Sequence, residues 1–392
     1  MSEIKVNSIK GVGASTAAIT VNNTDGTCTA NITNNLSNRR LTINGDMRIA
    51  QRGTSNTSGG NGYYTVDRMY YYNQGIDNDV TKAQADVASG TPAYEAGFRK
   101  SFKLTNGDQS NGAGASDQIQ IEYRIEAQDI ANSGWNYNSS TSFLTLSFYV
   151  KSSVGQAFNF FVKTEDGTEK NMPFSTPSLT ADTWTKVAVQ IKGDSGISFN
   201  NDNGNGLNIN FSPFLGTDYT DNSITNGEWI AWNSGTRYKD VTPTWYTTND
   251  ATFELTGVQL EVGSFSSDFE FKSYAQELQL CKRYYQEYKN IQMSGYVPDN
   301  NARVYGLGFN FPVEMRAAPT LTISNTGSTS GQTISTGDQD AQTVSLLSQG
   351  TTTYNAEINL NVSQDLTDNR PAVASSAGYS VRQTKYMFNG EL

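Results

Sequence analysis

The stretch IQIEYRI, residues 119–125, places apolar side chains at every second position, Ile119, Ile121, Tyr123 and Ile125. An alternation with a period of two is typical of a β-strand that buries one face. The pattern recurs in FRKSFKL (98–104), LTLSFYV (144–150), TWTKVAVQI (183–191), GLNINF (206–211) and FELTGVQLEV (253–262). Strands of this kind in such number predict a sandwich of two antiparallel sheets. The alternation shifts at Gly257, which predicts a β-bulge.

Composition limits the classes of function. Only 17% of the 392 residues are charged and the net charge is -10, so no basic surface favours nucleic acid as a partner. Histidine is absent, which excludes Ser-His-Asp and Cys-His catalysis. No apolar run is long enough for a membrane span or a signal peptide, and we expect neither. We expect Cys28 and Cys281 to be free thiols, because two cysteines make no disulfide framework.

Residues 1–38 contain two short strand-like pieces, EIKVNSI and AAITVNN, in a polar setting. A segment with so few apolar anchors cannot form a core alone. One interpretation is a disordered leader. The other is an attachment and assembly segment, whose apolar side chains are covered when copies or partners meet. The side chains concerned are Ile4, Val6, Ile9, Ile19 and Val21.

Residues 273–290 interrupt the β pattern with a helical one. Tyr274, Leu278, Cys281 and Tyr285 form one predicted stripe, while Leu280, Tyr284 and Tyr288 form a second. Ser273 and Gln276 have the spacing of a capping box. A short helix with two apolar faces predicts a junction buried between domains or subunits.

After the helix, short strand patterns return between turn-rich connections. They lie at 304–315, 320–325, 343–350 and 356–362. The predicted fold class is therefore all-β, with an assembly segment (1–38), a sandwich (39–272), a junction helix (273–290) and a smaller β domain (291–392).

Five blocks of sequence resemble tail fibres and receptor-binding virion proteins of tailed bacteriophages. They are LTINGDMRIAQRG (41–53), YTVDRMYYY (64–72), GVQLEVGSFSSDFE (257–270), SYAQELQLCKRYYQ (273–286) and FPVEMRAAP (311–319). The leader EIKVNSIKGVGASTAAITV (3–21) is similar to that of fibre proteins from marine phages, cyanophages among them. The resemblance covers nearly the whole chain, in the same order of blocks, although none of the blocks encodes chemistry.

The resemblance implies a homotrimeric fibre located in the virion tail and assembled in the host cytoplasm. It implies a leader that docks on other virion tail proteins, a jelly-roll domain similar to carbohydrate-binding modules, and a distal β domain. The ligand would be a host-surface polysaccharide or lipopolysaccharide.

Aromatic side chains in loop-like stretches are the candidate glycan contacts, because a flat ring can cover the C–H groups of a sugar. The candidates are Trp135, Tyr137, Trp229, Trp232, Trp245 and Tyr246. Each can equally be a packing residue, which is the commoner role of buried aromatics. Trp184, followed by KVAVQI, is expected in the core.

The sequence indicates no catalytic or metal site. Asp67, Glu254 and Glu261 are carboxylates that could serve in glycan hydrolysis, but the sequence does not show which two would act together as acid and base. Glu261 is expected to make a structural hydrogen bond. NDNGNG (201–206) lacks the first Asp and the final Glu of an EF-hand loop, so we interpret it as a polar turn. A structural calcium in other loops stays open.

The sequence thus predicts a non-enzymatic tail fibre, without cofactors, that mediates adsorption by binding a cell-surface glycan. Two alternatives remain: a structural head, neck or tail appendage that meets no receptor, and a glycan-degrading tailspike.

Overall fold

The computed structural model describes residues 6–13, 15, 17–21, 24, 28–30, 39–289, 291–298, 302–324, 332–337, 339–375 and 384–392. Within these residues the chain is all-β, as predicted, and its largest unit is a jelly-roll-like sandwich. Strands and helices are numbered below in chain order. The described helices are α1 (Pro92–Glu95), α2 (Ala127–Ala131), α3 (Tyr274–Lys282) and a single 3₁₀ turn at Thr217–Tyr219.

The sandwich consists of a six-stranded and a seven-stranded sheet. The six-stranded sheet has the order β13 (Thr185–Lys192), β10 (Phe143–Ser152), β16 (Thr252–Val262), β8 (Lys100–Thr105), β7 (Thr81–Asp86) and β4 (Ser55–Asn56). The seven-stranded sheet has the order β15 (Ile230–Ala231), β12 (Lys170–Ser175), β11 (Asn159–Thr164), β14 (Asn205–Leu215), β9 (Gln118–Glu126), β6 (Tyr70–Gln74) and β5 (Gly62–Tyr63).

The alternating residues of the six quoted strands do face the core between the sheets. Ile119, Ile121, Leu144 and Ile209 are all completely buried there. The bulge at Gly257 is confirmed, because the pairing of β10 with β16 shifts register between Ser147 and Tyr149. Gly257 has a φ of +65°, a left-handed conformation that glycine adopts readily.

Helix α3 forms, but it ends at Lys282. Its capping box is confirmed, since Ser273 accepts from the Gln276 backbone and Gln276 accepts from the Ser273 backbone. The helical stripes predicted through Tyr284, Tyr285 and Tyr288 are wrong. Strand β17 (Tyr285–Lys289) begins instead, because the aromatic run YYQEY has high strand propensity and pairs with a partner strand.

The burial of α3 also differs from the two-faced prediction. Cys281, a free thiol, is buried, whereas Leu278 and Leu280 are only half-buried and Tyr274 is 58% exposed. The other buried residue of α3 is Glu277, whose carboxylate pairs with Arg40 of the sandwich. The helix therefore contacts the sandwich through an ion pair as well as through apolar packing.

The rest of the described chain forms smaller sheets. The leader contains β1 (Ser8–Ile9), β2 (Ile19–Val21) and β3 (Cys28–Ala30), paired in that order. A three-stranded sheet has the order β17, β25 (Lys385–Asn389), β20 (Thr320–Ser324). A closed barrel has the order β18 (Met293–Val297), β19 (Arg303–Asn310), β23 (Asn355–Val362), β22 (Asp340–Thr351), β21 (Thr333–Ser335), β24 (Arg370–Ser375).

The leader side chains have mixed exposure. Val6 and Ile9 are exposed, Ile19 and Val21 are half-buried, and Ile4 lies outside the described residues. The assembly role of this segment stays a prediction. The C-terminal strands pack around a separate apolar core that includes Leu307, Ile358 and Phe388. No helix of the described residues is long and apolar enough to cross a membrane.

Candidate functional site

The outer face of the seven-stranded sheet is lined with amide side chains. On β9 the isoleucines enter the core, which turns Gln120 and Glu122 outward. On β14 the same alternation turns Asn208 and Asn210 outward. Asn210 stands directly opposite Glu122 on one side and Phe161 of β11 on the other. Residues paired in this way share one face of the sheet, so the amides lie on the same face as Glu122 and Phe161.

The segment 216–246 folds over one side of this face and forms a wall. Tyr238 is completely buried and packs with Phe161, which holds the segment against the sheet. The backbone N–H of Trp232 donates to the carbonyl of Glu169 (3.0 Å). Asn171 of β12 donates through Nδ2 to the carbonyl of Arg237 (2.8 Å). These anchors give the wall a defined conformation.

Between the wall and the sheet lies an open groove of about 200 Å³. We call it the polar groove. Its lining side chains come from β6, β9, β11, β14, the residue after β11 and the wall: Tyr72, Gln120, Glu122, Phe161, Lys163, Glu165, Asn208, Asn210, Trp232 and Arg237.

A chain of hydrogen bonds organises one end of the groove. Arg237 Nη1 donates to Oε1 of Gln118 (3.1 Å), which also accepts from Nε2 of Gln120 (2.9 Å). Gln118 donates to Gln74 (3.2 Å), and Gln74 donates to the hydroxyl of Tyr219 (3.1 Å). Because each amide orients the next, the end is preorganised for a polar ligand.

The carboxylates of the groove are held by cations. Glu122 accepts from Nη2 of Arg124 (2.7 Å), and Glu165 accepts from Nζ of Lys163 (2.7 Å). Burial raises the pKa of Glu165, although the hydrogen bond from Lys163 opposes that shift. Nδ2 of Asn208 also donates to Glu165, while its Oδ1 accepts no hydrogen bond from the described residues. A buried amide oxygen that accepts no hydrogen bond from the protein is available to a hydroxyl group of a ligand.

Of the aromatic candidates, Trp232 lies in the polar groove. Its ring lies 5.8 Å from that of Phe161 and has Nζ of Lys163 4.5 Å from its centre. Trp229, three residues earlier, points to the opposite side, where it packs against the sandwich core and donates to the Lys192 carbonyl (2.6 Å). Tyr137 also packs beside the core, edge-on to Phe199 at 5.0 Å. The structure therefore does not bring the six candidates together.

Trp135, Trp245 and Tyr246 are buried core residues, so their prediction as glycan contacts is wrong. They are 3%, 0% and 0% exposed. Each satisfies its polar atom internally. Trp245 Nε1 donates to the Thr252 carbonyl (3.0 Å), Tyr246 donates to Asp117 (2.9 Å), and Trp135 Nε1 donates to the Ser142 carbonyl (3.3 Å). No ring face of these residues is left for a sugar.

Sequence reasoning missed the amides and Arg237. Their signal was in the strands already quoted, because both outward positions of GLNINF carry Asn, and Gln120 precedes Glu122 and Arg124 on the outward side of IQIEYRI. Arg237 lies between Trp232 and Trp245 in the sequence, but a lone arginine in a loop does not indicate a binding site.

The three carboxylates considered for catalysis lie in separate networks. Asp67 accepts from Gln51 (2.5 Å), Glu254 from Ser101 (2.8 Å), and Glu261 from the backbone of Ser267 (2.8 Å). Within the described residues no group of three or more metal-binding side chains occurs. Residues 201–204 form a bend in which Asp202 accepts from the Gly204 backbone (2.9 Å), and β14 begins at Asn205.

A larger cavity of about 750 Å³ lies between residues 39–43 and helix α2. Arg39 pairs with Glu261 (3.3 Å), and Arg40 pairs with Glu277 through Nη2, while Nε and Nη1 of Arg40 have no hydrogen-bond partner among the described residues. Unlike the polar groove, this cavity has no aromatic side chain among the described residues that line it.

No family model matches the chain, and no curated protein matches it. Solved structures with a related arrangement include the enzymatically active domain of tailspike protein 4 from bacteriophage CBA120. It has 10% identity and a TM-score of 0.30, and the match covers 57% of this chain and 21% of that one. The chain thus spans only about a fifth of that tailspike domain.

Two carbohydrate-binding structures are also similar. The N-terminal cellulose-binding domain of Cellulomonas fimi β-1,4-glucanase C has 12% identity and a TM-score of 0.26, over 55% of this chain and 99% of that one. The family 11 carbohydrate-binding module of a Clostridium thermocellum cellulase has 12% identity and a TM-score of 0.24, over 53% and 97%. Similarity at these values supports no inference about function.

Proposed function

We propose that the protein binds a glycan in the polar groove and does not turn it over. The observation that carries the proposal is that three amide side chains, Gln120, Asn208 and Asn210, line one groove. Amide groups donate and accept, as sugar hydroxyls do, so the two surfaces are complementary. Trp232 at the wall adds an aromatic side chain to the same groove.

The biological setting that we propose is a tailed-phage virion. The support is the sequence resemblance of residues 41–53, 64–72, 257–270, 273–286 and 311–319 to tail fibres. In this setting the protein is a homotrimeric tail component that attaches through its leader to other tail proteins and adsorbs to a host-surface polysaccharide or lipopolysaccharide. Three linked grooves raise apparent affinity by ~10²-fold without new contacts.

Catalysis is not part of the proposal. Glu122 and Glu165 both line the groove, as two acids of a glycosidase would. Glu122 forms an ion pair with Arg124, and Glu165 forms one with Lys163. Both carboxylates are therefore already engaged by cations. Incubation with a polysaccharide that the protein binds should release no reducing ends, and their release would favour the tailspike alternative.

Binding is tested by affinity electrophoresis against a panel of neutral and acidic polysaccharides, followed by calorimetry on those that retard the protein. Asn210→Ala and Trp232→Ala should weaken binding, because they remove one amide and one ring from the groove. Asn138→Ala, at an exposed amide outside the groove lining, is the matched control.

If all three variants bind as the parent does, the glycan is bound elsewhere and the groove assignment fails. If the parent binds no polysaccharide and no host cell, the structural-appendage alternative takes its place. Light scattering tests the trimer separately, since a mass of one chain would contradict it.

A further inference from the structure

Arg237 stands apart from the other charged residues of the polar groove. Glu122 pairs with Arg124, and Lys163 pairs with both Glu165 (2.7 Å) and Glu169 (3.1 Å). Within the described part of the chain, by contrast, Arg237 forms no ion pair, and its side chain donates hydrogen bonds to the neutral oxygens of Gln118 and Ser234. The groove therefore contains a cation without a counter-ion.

The protein nevertheless holds this cation in one place. The backbone of Arg237 is fixed on both sides, since its N–H donates to the Tyr219 carbonyl (2.9 Å) and its carbonyl accepts from Asn171 (2.8 Å). The guanidinium lies over the ring of Tyr219, 4.7 Å from its centre. Nε donates to the Ser234 carbonyl (3.1 Å). Because a guanidinium has five N–H donors, these contacts leave further donors uncommitted.

A half-buried cation without a counter-ion is costly for a fold. Burial lowers the pKa of Arg237, although nearby tyrosines and Glu122 oppose the shift. A guanidinium keeps its proton under ordinary conditions, so the charge persists. A ligand that brings a negative charge to Arg237 removes this cost on binding. Guanidinium groups also bind carboxylate and sulfate oxygens in a fixed, forked geometry.

We propose that the ligand of the polar groove is an acidic glycan, whose carboxylate or sulfate group is bound by Arg237. The amides of Gln120 and Asn210, along the same groove, bind the hydroxyls of the charged sugar and its neighbours. This inference rests on the proposed function, and it names the chemical class of the ligand.

The test uses pairs of polymers that differ only in charge. Polygalacturonate and alginate are compared with their carboxyl-reduced forms, in which each uronate becomes the neutral sugar of the same linkage. Dextran sulfate is compared with dextran, and the two arms separate carboxylate from sulfate. We expect at least one acidic polymer to bind ~10-fold or more tightly than its neutral partner, because a hydrogen bond to a charged group is stronger than one to a neutral group. Added salt should reduce the difference.

Arg237→Gln should abolish the preference for the acidic polymer while leaving residual affinity for the neutral one. Arg237→Lys should keep part of the preference, because it keeps the charge and loses the fork. Arg99→Gln is the matched control, since Arg99 also stacks on a tyrosine, Tyr94 at 3.7 Å, but lies just before β8 of the other sheet. It should bind as the parent does.

The inference is overturned if the neutral polymers bind as tightly as the acidic ones, or if Arg237→Gln keeps the full preference. In both cases glycan binding in the groove survives, provided that Asn210→Ala still weakens it. If no polymer binds, and host cells do not bind either, the proposed function and this inference fail together.

Discussion

Glu391, two residues beyond the last strand, forms a buried ion pair with Arg68 of the sandwich. Arg52 approaches the same carboxylate at 3.3 Å, and the guanidinium of Arg68 lies 3.5 Å from the centre of the Tyr284 ring. The next residue, Leu392, accepts from Arg124 through its carbonyl (2.5 Å). Residues 391 and 392 are thus bound to the sandwich, which contains the polar groove. The ion pairs of Glu391 are buried, so water screens them little.

Glu391→Gln should destabilise the protein by ~3 kcal/mol, because it leaves the guanidinium of Arg68 buried without its carboxylate. Urea unfolding followed by tryptophan fluorescence measures the change. The control is Glu228→Gln, which breaks the exposed Lys192–Glu228 pair (2.6 Å) and should cost less than ~1 kcal/mol. Equal effects of the two substitutions would contradict the role given to burial.

The Arg40–Glu277 pair joins helix α3 to the start of the sandwich, and both side chains are completely buried. Glu277→Leu alone should cost ~3–5 kcal/mol, since Arg40 and the Asn44 N–H would both lose their acceptor. The double variant Arg40→Leu/Glu277→Leu should be more stable than the sum of the single changes predicts. A double-mutant cycle measures the coupling, and strict additivity would show that the pair does not hold the helix.

The pKa of Asp67 determines the direction in which the free energy of unfolding changes with pH. Burial raises its pKa from 3.8 to about 6, although Arg52 and Gln51 oppose the shift. Between these values the folded protein binds more protons at Asp67 than the unfolded chain does. Its contribution to the free energy of unfolding therefore falls as pH rises through this window, by up to ~3 kcal/mol.

Asp67→Asn removes this titration. The stability of the parent relative to the variant should decrease between about pH 4 and pH 7, as followed by urea unfolding at each pH. A difference that is constant, or that grows with pH, would show that the carboxyl is not disfavoured in its ionised form.

Gly257→Ala should lower the melting temperature by several degrees. An added Cβ would lie 2.5 Å from Cζ of Phe98, and the φ of +65° is strained for alanine. Gly350→Ala is the control, because a Cβ there meets no atom within 4 Å and its φ lies outside the left-handed range. If calorimetry finds the same melting temperature for both variants, the bulge tolerates a side chain and Phe98 moves aside.

The polar groove could be predicted only in part. Trp232 was a candidate because it lies in a loop-like stretch rich in aromatics, but five other aromatic residues shared that description. Burial separates Trp135, Trp245 and Tyr246 from Trp232, and burial depends on contacts between residues far apart in the chain, such as Tyr246 with Asp117. Local pattern carries no information about such contacts. The amides were visible as outward positions, but the registration of β9 against β14 that brings them together was not.

The end of helix α3 shows the same limit. Through Lys282 the local signals agree, since Ser273 caps the start and the apolar residues have helical spacing. Beyond it, Tyr285 and Tyr288 fit a helical stripe as well as they fit a strand. The outcome is decided by β25, nearly a hundred residues later, which supplies the hydrogen bonds of a sheet.

What the sequence by itself determined is the all-β class, the core residues of the main strands, the bulge at Gly257 and the start of α3. These features follow from side-chain periodicity and backbone preference, which act between near neighbours. Only the tertiary structure decided which aromatics are core and where the helix ends. It also decided that amides from two strands share one groove with an arginine that forms no ion pair within the described residues. Those outcomes depend on strand register and on long-range burial, since both are set by the free energy of the whole fold.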